Sequence, residues 1–187
     1  MLCLATANDS NKPLAARKCA LLPGSRKFDA FLRGRAEALP NEALVGLHLY
    51  RTDARCVNCH HGPNFTDGQF HDVGLPYYGR ELEDLGRYAL TKNPEDVGRF
   101  RTPSLRNVSR TATYMHNGLF QLDGVLNMYN AGMPLYKRTS SPSGAPVPNR
   151  SKLLRPLNLN GQDLADLKGF LNSLAEPPRR VRAPALP

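Results

Sequence analysis

The sequence predicts a mainly α domain with few helices and long loops, and three observations carry that expectation. Apolar residues recur at helical spacing only in short stretches. Between those stretches, 16 prolines and 15 glycines break the chain into turns. A single Cys-x-x-Cys-His motif, Cys56-Val57-Asn58-Cys59-His60, follows closely on one of the helical stretches. A chain of 187 residues can bury a core of its own. One this rich in loops gains from a large buried cofactor that adds apolar mass.

Residues 1–24 show no periodicity and read as an irregular segment. Residues 25–176 form the expected domain, and residues 177–187 a Pro- and Arg-rich tail expected to be disordered. Phe28, Phe31 and Leu32 fall at i, i+3, i+4 and predict a short helix ending at Gly34. Asn41 is the expected N-cap of a second helix over Glu42–Thr52, with a wide apolar face from Leu44 to Tyr50. Residues 53–122 read mostly as loop. Asp67-Gly68 marks a turn, and Phe65, Phe70 and Val73 around it predict a small hairpin. Asp84–Thr91 predicts two helical turns, and Leu122–Asn130 a clear helix stopped by Gly132. Residues 139–149 read as a flexible surface loop. The strongest helical pattern is last: Asn160 caps it, Leu164, Leu167, Phe170, Leu171 and Leu174 line one face, and Pro177-Pro178 ends it.

Composition narrows the function class. Hydrophobic residues at 41% and charged residues at 22% fit a globular chain. No run approaches the ~20 apolar residues a membrane helix needs, so no membrane span is expected. A net charge of +9 invites a nucleic-acid partner. The basic residues are scattered, however, and their densest cluster, Arg179, Arg180 and Arg182, lies in the tail; nucleic acid is not an expected partner. A basic surface suits an acidic redox partner as well. Cys3 and Cys19 read as unpaired thiols. Met1 to Ala7 lacks both a basic start and an adequate apolar run, so no secretory signal is read there.

The Cys-x-x-Cys-His spacing suits one covalently attached c-type haem. Two thiols must reach the two vinyl groups on one porphyrin edge, and the adjacent imidazole then swings beneath the iron. Cys56 and Cys59 are the expected attachment residues, and His60 the proximal iron ligand. Half a zinc site would need His61 or His71 to complete it, because no second Cys pair exists. A thioredoxin-like redox pair would need a βαβ context that the pattern lacks. Five residues after the motif compete for the sixth iron position: Met115, His116, Met128, Tyr129 and Met133. Spacing alone does not choose among them. Haem c attachment is expected outside the cytoplasm, which makes the periplasm the expected location despite the unread signal.

Several stretches in one order carry a resemblance. They are Lys27-Phe28-Asp29-Ala30-Phe31-Leu32, Arg55 through Gly68 around the motif, Asp84-Leu85-Gly86-Arg87-Tyr88 and Phe100-Arg101-Thr102-Pro103-Ser104-Leu105-Arg106-Asn107-Val108. Tyr114-Met115-His116-Asn117-Gly118, Tyr129-Asn130-Ala131-Gly132-Met133-Pro134 and Asp166-Leu167-Lys168-Gly169-Phe170-Leu171 continue it. Together they resemble the C-terminal half of the bacterial di-haem cytochrome c peroxidases, a group that includes MauG-type enzymes. The resemblance implies a cytochrome-c-like domain, mainly α, with few helices and long loops around one covalent haem. It implies two haems in the family, one per domain. The N-terminal haem reacts with hydrogen peroxide, and the C-terminal haem takes electrons from a small donor protein, a cytochrome c or a cupredoxin.

The same resemblance bears on the ligands. Family peroxidases pair His with Met at the C-terminal iron, and MauG-type proteins place a Tyr at the Met position. That position falls on Tyr129, with Met128 the alternative because the segment after Asn117-Gly118 is one residue shorter than is common. A thioether raises the iron potential; a phenolate lowers it and suits highly oxidised iron. Family members also hold calcium between their domains, partly through carbonyls matching Arg110-Thr111-Ala112-Thr113, so Thr111 is a candidate for half a calcium site. Thr113 stands where the family usually has Pro.

Departures from the family shape the functional expectation. One Cys-x-x-Cys-His is present, Trp is absent where the family places one between its haems, and no signal is read. A truncated product, or unrelated residues 1–24, would explain all three. The expected function is the electron-transfer haem domain of a peroxidase-family oxidoreductase whose peroxidatic haem sits on a missing N-terminal domain. The alternatives are a free-standing mono-haem carrier and a MauG-type protein-oxidising enzyme with His/Tyr ligation. A homodimer stays open. Arg101 or Arg106 is expected to pair with a haem propionate, since guanidinium matches carboxylate bidentately. His71 and His116 are expected in loop hydrogen bonding, and His61 at the surface.

Overall fold

The computed structural model describes residues 26–137 and 140–176. The irregular segment, Cys3, Cys19 and the 177–187 tail lie outside the described residues. Helices α1 (Arg26–Leu32), α2 (Asn41–Arg51), α3 (Tyr88–Thr91), α4 (Leu122–Asn130) and α5 (Gly161–Ser173) are joined by loops carrying single 3-10 turns. Strands β1 (Phe70–His71) and β2 (Phe100–Arg101) form a two-stranded antiparallel sheet. Among the described residues, no helix is long and apolar enough to cross a membrane.

The core is built where α2 crosses α5. Gly46 makes the crossing close: a Cβ there would stand 2.0 Å from the Asp166 carbonyl oxygen. The apolar face of α5 predicted from its spacing is the face that packs, with Leu167, Phe170, Leu171 and Leu174 all buried. Four rings meet beside it, Phe28 of α1, Tyr50 of α2, Phe65 of the following loop and Phe170 of α5. Their paired centroids lie between 5.0 and 6.1 Å apart. Edge-on pairs of this kind contribute roughly 0.5–1.5 kcal/mol each beyond their burial.

Helix ends follow local chemistry, with two corrections. At α5 the Asn160 side chain accepts from the Gln162 and Asp163 N–H groups, and Asp163 accepts from the Asn160 N–H in return. That reciprocal cap is the one expected. The helix stops at Ser173, before Pro177-Pro178, because its exit is taken by tertiary contacts. The Leu174 carbonyl accepts from the Asn107 N–H, and the Asn107 side chain accepts from the Glu176 N–H. At α2, Asn41 is the first helical residue and not the cap; Pro40 holds the extended entry and makes no side-chain bond.

Three loop expectations change. The Asp67-Gly68 turn forms, with Gly68 at φ +68°, but no local hairpin follows. Phe70 and His71 pair instead with Arg101 and Phe100, because Phe65 turns inward to the four-ring cluster and the Asp67 carboxylate takes the Gln69 N–H. Of the two turns predicted over 84–91, only Tyr88–Thr91 is helical. Gly86 sits at φ +57° against Arg99, where a Cβ would lie 2.4 Å from the Arg99 carbonyl oxygen. Residues 140–149 are anchored: Ser141 and Ser143 donate to the Glu83 carboxylate, and the carbonyl of buried Ala145 accepts from the Tyr78 hydroxyl at 2.7 Å.

Candidate haem-attachment site

The attachment turn grows from the end of α2. Thr52 closes that helix with its N–H and hydroxyl on the His48 carbonyl. Ala54 buries itself and bonds back to Leu49, and Arg55 at φ 56° redirects the chain. A 3-10 turn over Cys56–Asn58 follows, and the His60 N–H reaches the Cys56 carbonyl at 2.8 Å. Cys56, Cys59 and His60 therefore stand at i, i+3 and i+4, on one side of a single turn.

His60 is fixed at ring and backbone. Its Nδ1 lies 3.0 Å from the Phe65 carbonyl oxygen, and its own carbonyl accepts from the Tyr50 hydroxyl. Burial lowers its pKa, against the raising effect of the Phe65 and Pro103 carbonyls and of the Asp67 charge. The result is a neutral imidazole whose Nδ1–H donates to Phe65, leaving the Nε2 lone pair for a metal. Tyr50 and Phe65 are themselves two of the four clustered rings, so the helix crossing positions the ligand.

The donor set fits covalent haem better than zinc. Both cysteines are free thiols. Burial pushes Cys56 up to about 12, and burial with the Asp67 charge raises Cys59 as well. The one Cys-containing group of ligand type among the described residues is Cys59, Asp67 and His71, within 4.8 Å of one another. It leaves Cys56 out, and His71 is already bonded to Asp67 at 2.7 Å. His61 is exposed, as expected.

The other predicted residues fall as follows. Tyr129 is half-buried on α4, and burial raises its phenol pKa. Neighbouring Met128 is half-buried, while Met133 is fully buried at φ 64°. Arg101 is exposed on β2, and its guanidinium makes no ion pair within the described residues. Arg106 carries the other half of the propionate expectation, but its donors are already engaged. It forks onto Asp29 at 3.1 and 3.3 Å and gives its Nε–H to the Pro63 carbonyl at 2.7 Å. Thr111 is exposed, its hydroxyl on the Val108 carbonyl. His116 stacks on Phe100 at 3.8 Å instead of entering a loop hydrogen bond.

Sequence reasoning missed Tyr50, Phe65 and Asp29 as supports of the site. Phe65 was legible only as an apolar residue near a turn. The separation of ten positions between Tyr50 and His60 hides a contact that depends on how α2 ends.

Fold and donor set are consistent with a c-type haem domain. The chain is 32% identical over 198 residues to the cytochrome-c peroxidase IdrP1 of Pseudomonas sp. (strain SCT), covering 90% of this chain and 49% of that protein. It is 32% identical over 177 residues to the methylamine utilization protein MauG of Methylorubrum extorquens, covering 93% of this chain and 46% of that protein. The crystal structure of a MauG-like protein associated with microbial copper homeostasis superposes with a TM-score of 0.72 at 29% identity. That match covers 87% of this chain and 51% of the other. No protein-family model matches the chain. The chain belongs to the di-haem cytochrome c peroxidase and MauG family, as the counterpart of its C-terminal half. It spans about half the length of these relatives.

Proposed function

We propose that this domain is the electron-entry haem unit of a peroxidase-family oxidoreductase. It accepts electrons from a small donor protein, a cytochrome c or cupredoxin, and passes them toward a peroxide-reducing haem on a second domain. The supporting observation is the turn that presents Cys56, Cys59 and a neutral His60 together. When bound, haem c supplies one-electron ferric–ferrous chemistry at a potential set by its axial ligands. Cys56 and Cys59 would hold the porphyrin edge, and the Phe65 carbonyl engages His60 Nδ1, so that Nε2 would be the nitrogen offered to the iron. Arg101, with free donors, is the arginine proposed for a propionate. The periplasm is the proposed location, and calcium at Thr111 and a homodimer belong to the same reading.

Tyr129 favours a second reading, a MauG-type site with His/Tyr ligation that oxidises a partner protein. Tyr129 lies half-buried on α4, and a phenolate ligand there would lower the potential. Tyr129 is the proposed sixth ligand, and Met128 the alternative.

The test uses holo-chain matured in a periplasm competent for haem c attachment. Reduced small cytochrome c or cupredoxin should reduce the chain rapidly, and hydrogen peroxide added together with that reduced donor should produce no turnover. Steady peroxide turnover by this chain alone contradicts the electron-entry role. Rapid reduction together with oxidation of a protein substrate would support the MauG-type reading. A carrier that exchanges electrons freely with many donors and couples to no second haem domain would favour the free-standing alternative.

A further inference from the structure

On the haem reading above, we infer that Arg106 is a positioning residue for the iron's proximal ligand, acting through the Pro63–Phe65 turn. The turn leaves the attachment motif and supplies the carbonyl that accepts from His60 Nδ1. Two side chains from the segment after β2 grip it: Arg106 Nε–H on the Pro63 carbonyl at 2.7 Å, and Ser104 Oγ–H on the Asn64 carbonyl at 2.6 Å. The same guanidinium stands 5.6 Å from the Phe65 ring centroid and forks onto Asp29 of α1, with both partners largely shielded from solvent. One arginine thus ties α1, the turn and the carbonyl that orients the ligand.

The physical consequence lies in the basicity of His60. A firmly held acceptor on Nδ1–H raises imidazole basicity and favours ferric iron. A turn released from Arg106 weakens that bond, so the potential rises. Simple loss of a nearby positive charge works the other way, because a cation favours the ferrous state. The two roles therefore predict opposite signs.

Arg106→Lys keeps the charge and loses the fork; Ser104→Ala removes the bond to the Asn64 carbonyl, together with the one its hydroxyl accepts from the Arg106 N–H, and keeps every charge. Both are made in the holo-chain and read by exchange of the His60 Nδ1 proton in paramagnetic proton NMR and by midpoint potential. Arg106→Lys should speed exchange at least tenfold. It should also raise the ferrous-over-ferric equilibrium constant about tenfold, which is ~59 mV for one electron. Ser104→Ala should move both readouts the same way by less, and it decides the matter if the lysine variant fails to mature. Holo variants with wild-type exchange and potential overturn the inference alone, as does a fall in potential with exchange unchanged. A wild-type chain without covalent haem overturns the parent reading, and this inference with it.

Discussion

Tyr50 and Phe65 show how single side chains outside a motif determine what the motif can do. The Tyr50 hydroxyl bonds the His60 carbonyl, and the Phe65 carbonyl bonds the His60 ring. Removing the hydroxyl leaves a part-buried acceptor unsatisfied, a loss of about 1–3 kcal/mol. Tyr50→Phe should therefore lower the denaturation midpoint of the holo-chain while leaving haem attached; an unchanged midpoint would show that the bond contributes nothing. With Tyr129 as the proposed sixth ligand, Tyr129→Phe should raise the iron potential and alter the ferric spectrum, and Met128→Leu should do neither. A spectrum that responds only to the Met128 change would transfer the ligand role. What was legible at this scale was the chemistry that sequence neighbours share, namely two thiols and an imidazole on one turn. Asp29 and Arg106 were out of reach because their pairing joins residues that only the folded chain brings together.

At the scale of elements, the helices were legible and the loops were not. Periodicity located α1, α2, α4 and the start of α5 within a residue or two of their observed bounds, because a packed helix must repeat its apolar face. The hairpin expected around Asp67-Gly68 failed because period-2 patterning does not name a strand's partner, and β1 pairs with a strand far along the chain. Gly46 was one more glycine in a helix until α5 was laid against it. Gly46→Ala forces a side chain into the Asp166 carbonyl and should cost about 1–3 kcal/mol or more, read as a lower unfolding midpoint. The anchored 140–149 loop gives a pH prediction. Burial raises the Glu83 pKa, but hydrogen bonds from Ser141, the Gly79 N–H and Ser143 outweigh it and hold the carboxyl below its ordinary value. Its contribution is therefore complete above the unfolded value of about 4.3 and is lost as pH falls through the lower folded value. Protection factors of the Ser143 and Gly144 amides, corrected for the intrinsic pH dependence of exchange, should fall on acidification, and Glu83→Gln should abolish that fall. An identical acid response in Glu83→Gln would assign it elsewhere.

For the whole molecule, the architecture and the chemistry meet at one place. The α2–α5 crossing gathers four rings, the rings hold Tyr50 and Phe65, and those two hold the imidazole beside both thiols. The fold therefore presents an oriented imidazole and two free thiols on one turn, the donor set suited to a porphyrin stitched through its edge. The most direct measurement is acid-acetone extraction followed by a pyridine haemochrome assay on chain matured where haem c can be attached. One equivalent of haem should stay with the polypeptide and disappear in the Cys56→Ala, Cys59→Ala double variant. Pigment that extracts completely, or a chain that emerges colourless, would contradict the account.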